Sequence, residues 1–388
     1  MLAKITAVFL FAILSPLPSA SARQSQPREH FENAEILYDW VGNTRGDKLR
    51  TFVTRPRKLP GKVPVIFFVG WLSCDSVEYP QGETDGFGAM ILRLIEQSGY
   101  ATMRMDKPGV GESQGTPCGK ADFQGEFEGY QAAFDSMSKY DFLDLDRIFV
   151  MGLSNGGGFA PLVSRQHRVR GFIAAGSWGR TWYEHMLEME RHRLTDAGKS
   201  AADVTDAMKV FSQFYDLYLI QGHTPGEVIR QHPKWKDYWY DSPDGQYGRP
   251  AAFYQQLQAL NLGEAWQRVD APVLVLRGAS DTIMSRADSA ALAEIVNRVH
   301  PGKARYLELE GMSHDFMVGN KFYSELVPTI LDWTKQQLAA GNRNPGPHIG
   351  DGMTLVGMGS PSCCPCRHKM GASPERVSAD FHPYSDLL

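Results

Sequence analysis

A strand that runs into Gly152-Leu153-Ser154-Asn155-Gly156 and out into a helix constrains this chain more than any other stretch. Ile148-Phe149-Val150-Met151 is a continuous apolar run of strand length, and helical spacing resumes at Gly157. A hydroxyl is a poor nucleophile at neutral pH and becomes useful only where a base and oxyanion donors reach it together. A sharp strand-to-helix turn lifts a serine out of the sheet at a helix N-terminus. Small residues at 152 and 156 let the flanking backbones pack around so tight a turn. As a bare string the motif is common, and a glycine-rich turn would also satisfy it. The flanking strand and helix give it meaning.

Two companions follow in the order that such a turn demands. Val273-Leu274-Val275-Leu276 runs into Arg277-Gly278-Ala279-Ser280-Asp281, which puts a carboxylate just past the end of a buried strand. One helix later, Leu307-Glu308-Leu309 leads into Gly311-Met312-Ser313-His314. In open α/β sheets, sites lie in the crevice at the strand C-termini, so Ser154, Asp281 and His314 fall on one edge. The histidine can take the serine proton and return it to a leaving group, while the aspartate fixes the imidazole tautomer. Taken singly, Asp281 reads as a loop residue and His314 as a surface residue; together they form a pattern.

The pattern between these motifs places them in one fold. Leu37–Val41 and Leu49–Val53 alternate around 42–47 as a hairpin does. Strand-like runs at Pro64–Val69, Ala101–Met105, Arg147–Leu153 and Val169–Ala175 alternate with helical spacing at Phe87–Gln97, Asp122–Met137 and Gly157–Arg165. Pro161 is expected within about the first turn of the last of these. Such alternation means crossover connections and a mostly parallel sheet. It stops at about Trp178, resumes at Val273, and continues through a helix at Ser289–Val299, a strand at Arg305–Leu309 and a helix at Ser324–Leu338. The interval is punctuated by Pro225, Pro233, Pro243 and Pro250, with Met208, Phe211, Tyr215, Tyr218 and Leu219 at helical spacing. It holds Trp178, Trp182, Trp235, Trp239 and Trp266, five of the eight tryptophans, together with Tyr238 and Tyr240. Most of this aromatic content reads as the core of a small helical unit, and some of it as the wall of an apolar pocket.

Over about residues 36–338 the chain resembles the α/β-hydrolase-fold serine hydrolases of esterase or serine aminopeptidase type. The resemblance rests on the Gly152–Gly156 turn, on the Asp281 and His314 loops, and on Met105-Asp106-Lys107-Pro108-Gly109-Val110-Gly111-Glu112-Ser113, which is similar to a D-x-P-G-x-G-x-S turn of that family. Asp106 reads as structural. The resemblance implies a central, mostly parallel sheet flanked by helices, with a core of residues 36–177 and 269–340 and a helical cap insertion at 178–268. By the same analogy an oxyanion hole takes the Asn155 N–H and a second N–H from the loop after Val69. Relatives often carry His-Gly there, whereas this chain has Val69-Gly70, and Trp71 is the candidate donor. Cys74 lies just past this loop and Cys118 past the neighbouring turn, so a structural disulfide between them is expected to brace the rim of the site. The implied activity is hydrolysis of a carboxylic ester through an acyl-enzyme. Peptidase, amidase and thioesterase chemistry use the same machinery, and a non-catalytic relative that keeps the fold for binding is the competing class. Haloalkane dehalogenases and soluble epoxide hydrolases use an aspartate where Ser154 stands, and dienelactone hydrolases a cysteine.

Partners and compartment follow from the remaining sequence. A net charge of -4 over 388 residues, without a basic block, points away from nucleic acid. The expected partner is a small ester or peptide-like substrate with an apolar acyl group; no cofactor is implied, since the mechanism needs neither metal nor nucleotide. Met1-Leu2-Ala3-Lys4, the apolar run Ala7–Leu14, the breakers Pro16 and Pro18, and Ala20-Ser21-Ala22 together read as a signal peptide over 1–22, cleaved near Ala22. Periplasmic or secreted localisation is therefore expected, with no later membrane span. Residues 23–35 read as a flexible lead-in. Residues 341–388, rich in Pro, Gly and Ser, read as a tail of little order; Cys363, Cys364 and Cys366 with His368 lack the second ligand cluster of a metal site.

Overall fold

The computed structural model describes residues 28–164 and 167–341. A hairpin opens the fold, β1 (Ala34–Gly42) pairing antiparallel with β2 (Lys48–Pro56). Next come β3 (Val63–Val69), α1 (Gly86–Gln97), β4 (Ala101–Met105), α2 (Phe123–Ser136), β5 (Leu143–Leu153), α3 (Asn155–Val163) and β6 (Gly171–Ala175). Between β6 and its eventual neighbour the chain makes α4 (Trp182–Asp196), α5 (Ala201–Tyr215), α6 (Pro225–Gln231), a two-residue ribbon of β7 (Gly245–Gln246) and β8 (Arg249–Pro250), α7 (Ala251–Gln258) and α8 (Leu262–Gln267). The sheet then resumes with β9 (Val273–Gly278), α9 (Arg286–Val299) and β10 (Ala304–Leu309). A small ribbon, β11 (Met317–Val318) with β12 (Lys321–Phe322), precedes α10 (Leu326–Gly341).

The eight-stranded sheet has the order β1-β2-β4-β3-β5-β6-β9-β10. Only β2 runs against the others, since it pairs antiparallel with both β1 and β4 while every later pairing is parallel. The chain moves outward from β3 to β4 and then returns to the other side of β3 for β5, which opens a crevice at the C-terminal ends of β3 and β5. Because successive strand side chains alternate, Val65, Phe67 and Val69 pack on one face with α2 and α3, and Ile66 and Phe68 on the other with α1 and α10. Every residue of β3 is buried, as its unbroken apolar sequence requires for a strand covered on both faces.

The inserted helices follow the punctuation in their sequence. Pro225 occupies the first turn of α6, where its missing N–H costs nothing, Pro233 starts a short 3-10 turn, and Pro250 sits at the N-cap of α7. Trp178, Trp182, Met186, Tyr254 and Trp266 belong to the same apolar cluster as α2 and α3, so the insertion shares the core of the sheet face beneath it. Trp266 donates its indole N–H to the Gly158 carbonyl of α3 at 3.0 Å.

Two details differ from the pattern-based reading. Helix α3 begins at Asn155, two residues earlier than spacing suggested, because the chain changes from strand to helix within Ser154 alone; Pro161 therefore sits in the second turn of a helix that ends at Val163. The lead-in is also pinned from residue 28 onward. Glu29 pairs with the buried Arg104 at 2.8 Å, and Phe31 packs into the α1 face. A buried guanidinium needs a carboxylate, and this segment supplies it. Residues 1–22, expected to form a signal peptide, residues 23–27 and the Cys363–His368 cluster lie outside the described residues.

Candidate active site

The turn after β5 holds its serine in a backbone conformation that side chains avoid. Ser154 has φ 51° and ψ −123° and is the sole residue between the end of β5 and the start of α3. Its N–H donates to Ala175 O at 2.9 Å and its carbonyl accepts from Gly157 N at 3.1 Å, so both strand and helix clamp the strained residue. The flanking glycines are dictated by contact. A Cβ at Gly152 would lie 2.3 Å from Gly157 Cα, and one at Gly156 would lie 2.2 Å from Gly70 O.

The C-terminal ends of β9 and β10 bring the other two predicted residues to this serine. His314 Nε2 lies 2.9 Å from Ser154 Oγ, and His314 Nδ1 lies 2.9 Å from Asp281 Oδ2. The second carboxylate oxygen, Oδ1, accepts from the Ile283 and Met284 amides, both at 2.8 Å. Burial works against the Asp281 charge, but the adjacent imidazole and those two amides outweigh it and hold the carboxyl below its ordinary value. Arg277 sits behind the loop, donating to Asp281 O at 2.8 Å and to Met284 O at 2.7 Å. The His314 ring meets the edge of Phe87, which stacks on Trp71 at 4.7 Å between centroids and packs against Phe316.

Trp71 follows β3 across the crevice from Ser154. The Gly70 N–H is taken by the phenolic oxygen of Tyr130 at 3.0 Å, whereas the Trp71 N–H has no acceptor among the described residues. The Asn155 N–H, at the first position of α3, has none within its own helix. Cys74 and Cys118 form a disulfide just beyond, bridging a sequence separation of 44. Asp106 is buried, accepting from Ser76 Oγ at 2.9 Å and Val77 N at 2.8 Å, and burial lifts its carboxyl to about 6. It tethers the chain that leads from the Trp71 loop to α1.

Pattern reading missed three side chains under that loop. Lys107 and Arg249 both donate to its carbonyls, and Glu126 lies between them. Lys107 passed as part of a glycine-rich turn, and nothing in sequence links positions 107, 126 and 249.

A strained serine between strand and helix, an imidazole on its hydroxyl and a carboxylate behind the imidazole, on one edge of a mostly parallel sheet, are the arrangement of an α/β-hydrolase. The chain belongs to the family described as serine aminopeptidase, S33, whose model matches residues 82–320. YcjY of Escherichia coli (strain K12), described as an uncharacterized protein, is 22% identical over 256 residues, covering 63% of this chain and 82% of that protein. Among solved structures the fold is similar to DcsB in complex with its substrate analogue, at TM-score 0.52 and 17% identity over 79% of this chain and 100% of that one. It is also similar to Est1E from Butyrivibrio proteoclasticus with ferulic acid bound, at TM-score 0.50 and 15% identity over 79% of this chain and 100% of that one. The chain is thus a hydrolase of this superfamily. No helix among the described residues is long and apolar enough to cross a membrane.

Proposed function

We propose that this protein is an exported serine hydrolase that cleaves carboxylic esters through an acyl-enzyme. The observation that carries the reading is the unbroken relay from Ser154 Oγ through both nitrogens of His314 to Asp281, with 2.9 Å at each junction. In this mechanism His314 takes the Ser154 proton as Oγ attacks the acyl carbon. The Asn155 and Trp71 N–H groups receive the oxyanion, and His314 returns the proton to the leaving alcohol. Water activated by the same imidazole then releases the acid and restores the serine. Asp281 keeps Nδ1 protonated and stabilises the imidazolium. The insertion at 178–268 acts as the cap over the acyl group. Export is supported by the N-terminal pattern and by the Cys74–Cys118 disulfide, a bond at home in oxidising compartments.

The family description favours a second reading, removal of N-terminal residues from peptides, which uses the same relay on an amide. A fluorophosphonate probe should label the wild type and not Ser154→Ala. A panel of p-nitrophenyl esters of graded chain length against aminoacyl anilides then separates the two bonds: turnover of anilides alone would replace the esterase reading. Intact-mass measurement of the protein from the periplasm or medium should find the chain starting near Arg23.

A further inference from the structure

The loop that bears Trp71 is held from below by buried charge. Three successive carbonyls, of Trp71, Leu72 and Ser73, each accept from a cation: Lys107 Nζ donates to Trp71 O and to Ser73 O (2.6 Å), and Arg249 Nε donates to Leu72 O (3.3 Å). Glu126 bridges the two, with Oε1 3.6 Å from Lys107 Nζ and Oε2 on Arg249 Nη2. All three side chains are withdrawn from solvent, the most exposed at 6%. Arg249 also donates to Cys118 O at 2.6 Å, so it grips the loop and its disulfide partner together. It enters from β8, within the insertion, and Phe253 of α7 covers its guanidinium.

Two cations share one buried carboxylate beneath the peptide units that follow Trp71, with Asp75 a further acidic neighbour of Lys107. Burying such charge is costly, and the loop carbonyls and the shared carboxylate are what offset the cost. The clamped carbonyls of Trp71, Leu72 and Ser73 share planar peptide units with the N–H groups of Leu72, Ser73 and Cys74. The Trp71 N–H shares its unit with the Gly70 carbonyl, so the clamp reaches that N–H by fixing the Trp71 Cα at which the two units join. We propose that Lys107 and Arg249, bridged by Glu126, are positioning residues for the oxyanion loop, and that through Arg249 the seating of the insertion sets the alignment of the Trp71 N–H. This rests on the reading of Trp71 as an oxyanion donor in a serine hydrolase. Burial pushes the Lys107 ammonium down to about 8, with Arg249 adding to the push and Glu126 and Asp75 resisting it, so the clamp loses charge within an accessible range.

The test compares full-length wild type, Ser154→Ala, Lys107→Met, Lys107→Arg, Arg249→Met and Arg249→Lys by fluorophosphonate labelling and steady-state hydrolysis of a p-nitrophenyl ester. Cooperative thermal unfolding verifies that each variant is folded. Lys107→Met and Arg249→Met should lower kcat by about tenfold to a hundredfold, less than deletion of an oxyanion donor, with KM within about twofold. Wild-type kcat should fall as pH rises through about 8, and Lys107→Arg, charged throughout, should keep its rate there. Folded methionine variants with unchanged kcat, or with only KM raised, overturn the proposal. Should the methionine variants fail to fold, the conservative pair decides: an alkaline fall that persists in Lys107→Arg overturns it equally. A wild type that neither labels nor turns over ester fails at the first arm and removes the functional reading, and the proposal with it.

Discussion

His314 and His185 each meet a buried aspartate at 2.9 Å through Nδ1, yet their surroundings have little in common. His314 lies at the sheet edge, 12% of its side chain exposed, with its other nitrogen on Ser154 Oγ. His185 of α4 is almost wholly buried, stacked on Trp178 at 5.2 Å and tilted against Trp182 at 5.0 Å. Its partner Asp288 belongs to α9, so that pair ties the insertion to the core, and among the described residues no hydroxyl bonds the His185 ring. The same two residue types therefore meet a serine hydroxyl in one place and tie two elements together in the other. What separates them is the third group. Beside a serine hydroxyl such a pair can pass a proton, and behind aromatic walls it can only hold elements together.

Breaking each pair should expose that difference. The largest effect is expected at the serine. Ser154→Ala should lower kcat/KM by about 10⁴-fold or more and leave the fold intact, as seen by an unchanged thermal midpoint. Asp281→Asn should follow closely, with kcat reduced by about 10³–10⁴-fold through the wrong imidazole tautomer. Asp288→Ala should do the reverse: kcat/KM within about threefold at temperatures where the protein is folded, and stability reduced by about 3 kcal/mol in denaturant titration, because His185 and Arg180 lose their carboxylate. A large loss of kcat in that variant, without loss of stability, would erase the distinction between the two pairs.

The rim of the site and the junction with the insertion can be compared in the same way. Removing the disulfide with Cys74→Ser and Cys118→Ser should cost about 4 kcal/mol from loop entropy. Trp266→Phe removes the indole bond to Gly158 O together with part of a fully buried ring, and should cost about 2–3 kcal/mol with activity preserved. The smallest signal is a pH effect. The Asp281 carboxyl is held below its ordinary value, so it favours the native state at neutral pH, and this contribution disappears as pH falls through its folded value. Thermal midpoints should accordingly drop more steeply below about pH 4 in wild type than in Asp281→Asn. An acid limb in kcat/KM at milder pH then reports on another group.

Much of this protein was legible in one dimension. The alternation of apolar runs with helical spacing, the serine turn and the strict order of Ser154, Asp281 and His314 are local signals, set by backbone periodicity and by the steric demand of a strand-to-helix turn. They specify the sheet, its edge and the residues on that edge, because each element carries its own pattern and strand C-termini share a direction in a parallel sheet. Tertiary structure alone decided the rest. Lys107, Glu126 and Arg249 meet only because α2 and the β7–β8 ribbon pack against the loop after β3, and no spacing encodes the contact between Glu126 and Arg249, 123 positions apart in the chain. The two histidine–aspartate pairs make the same point. Residue type put an imidazole beside a carboxylate in both, and only packing determined which of them faces a serine.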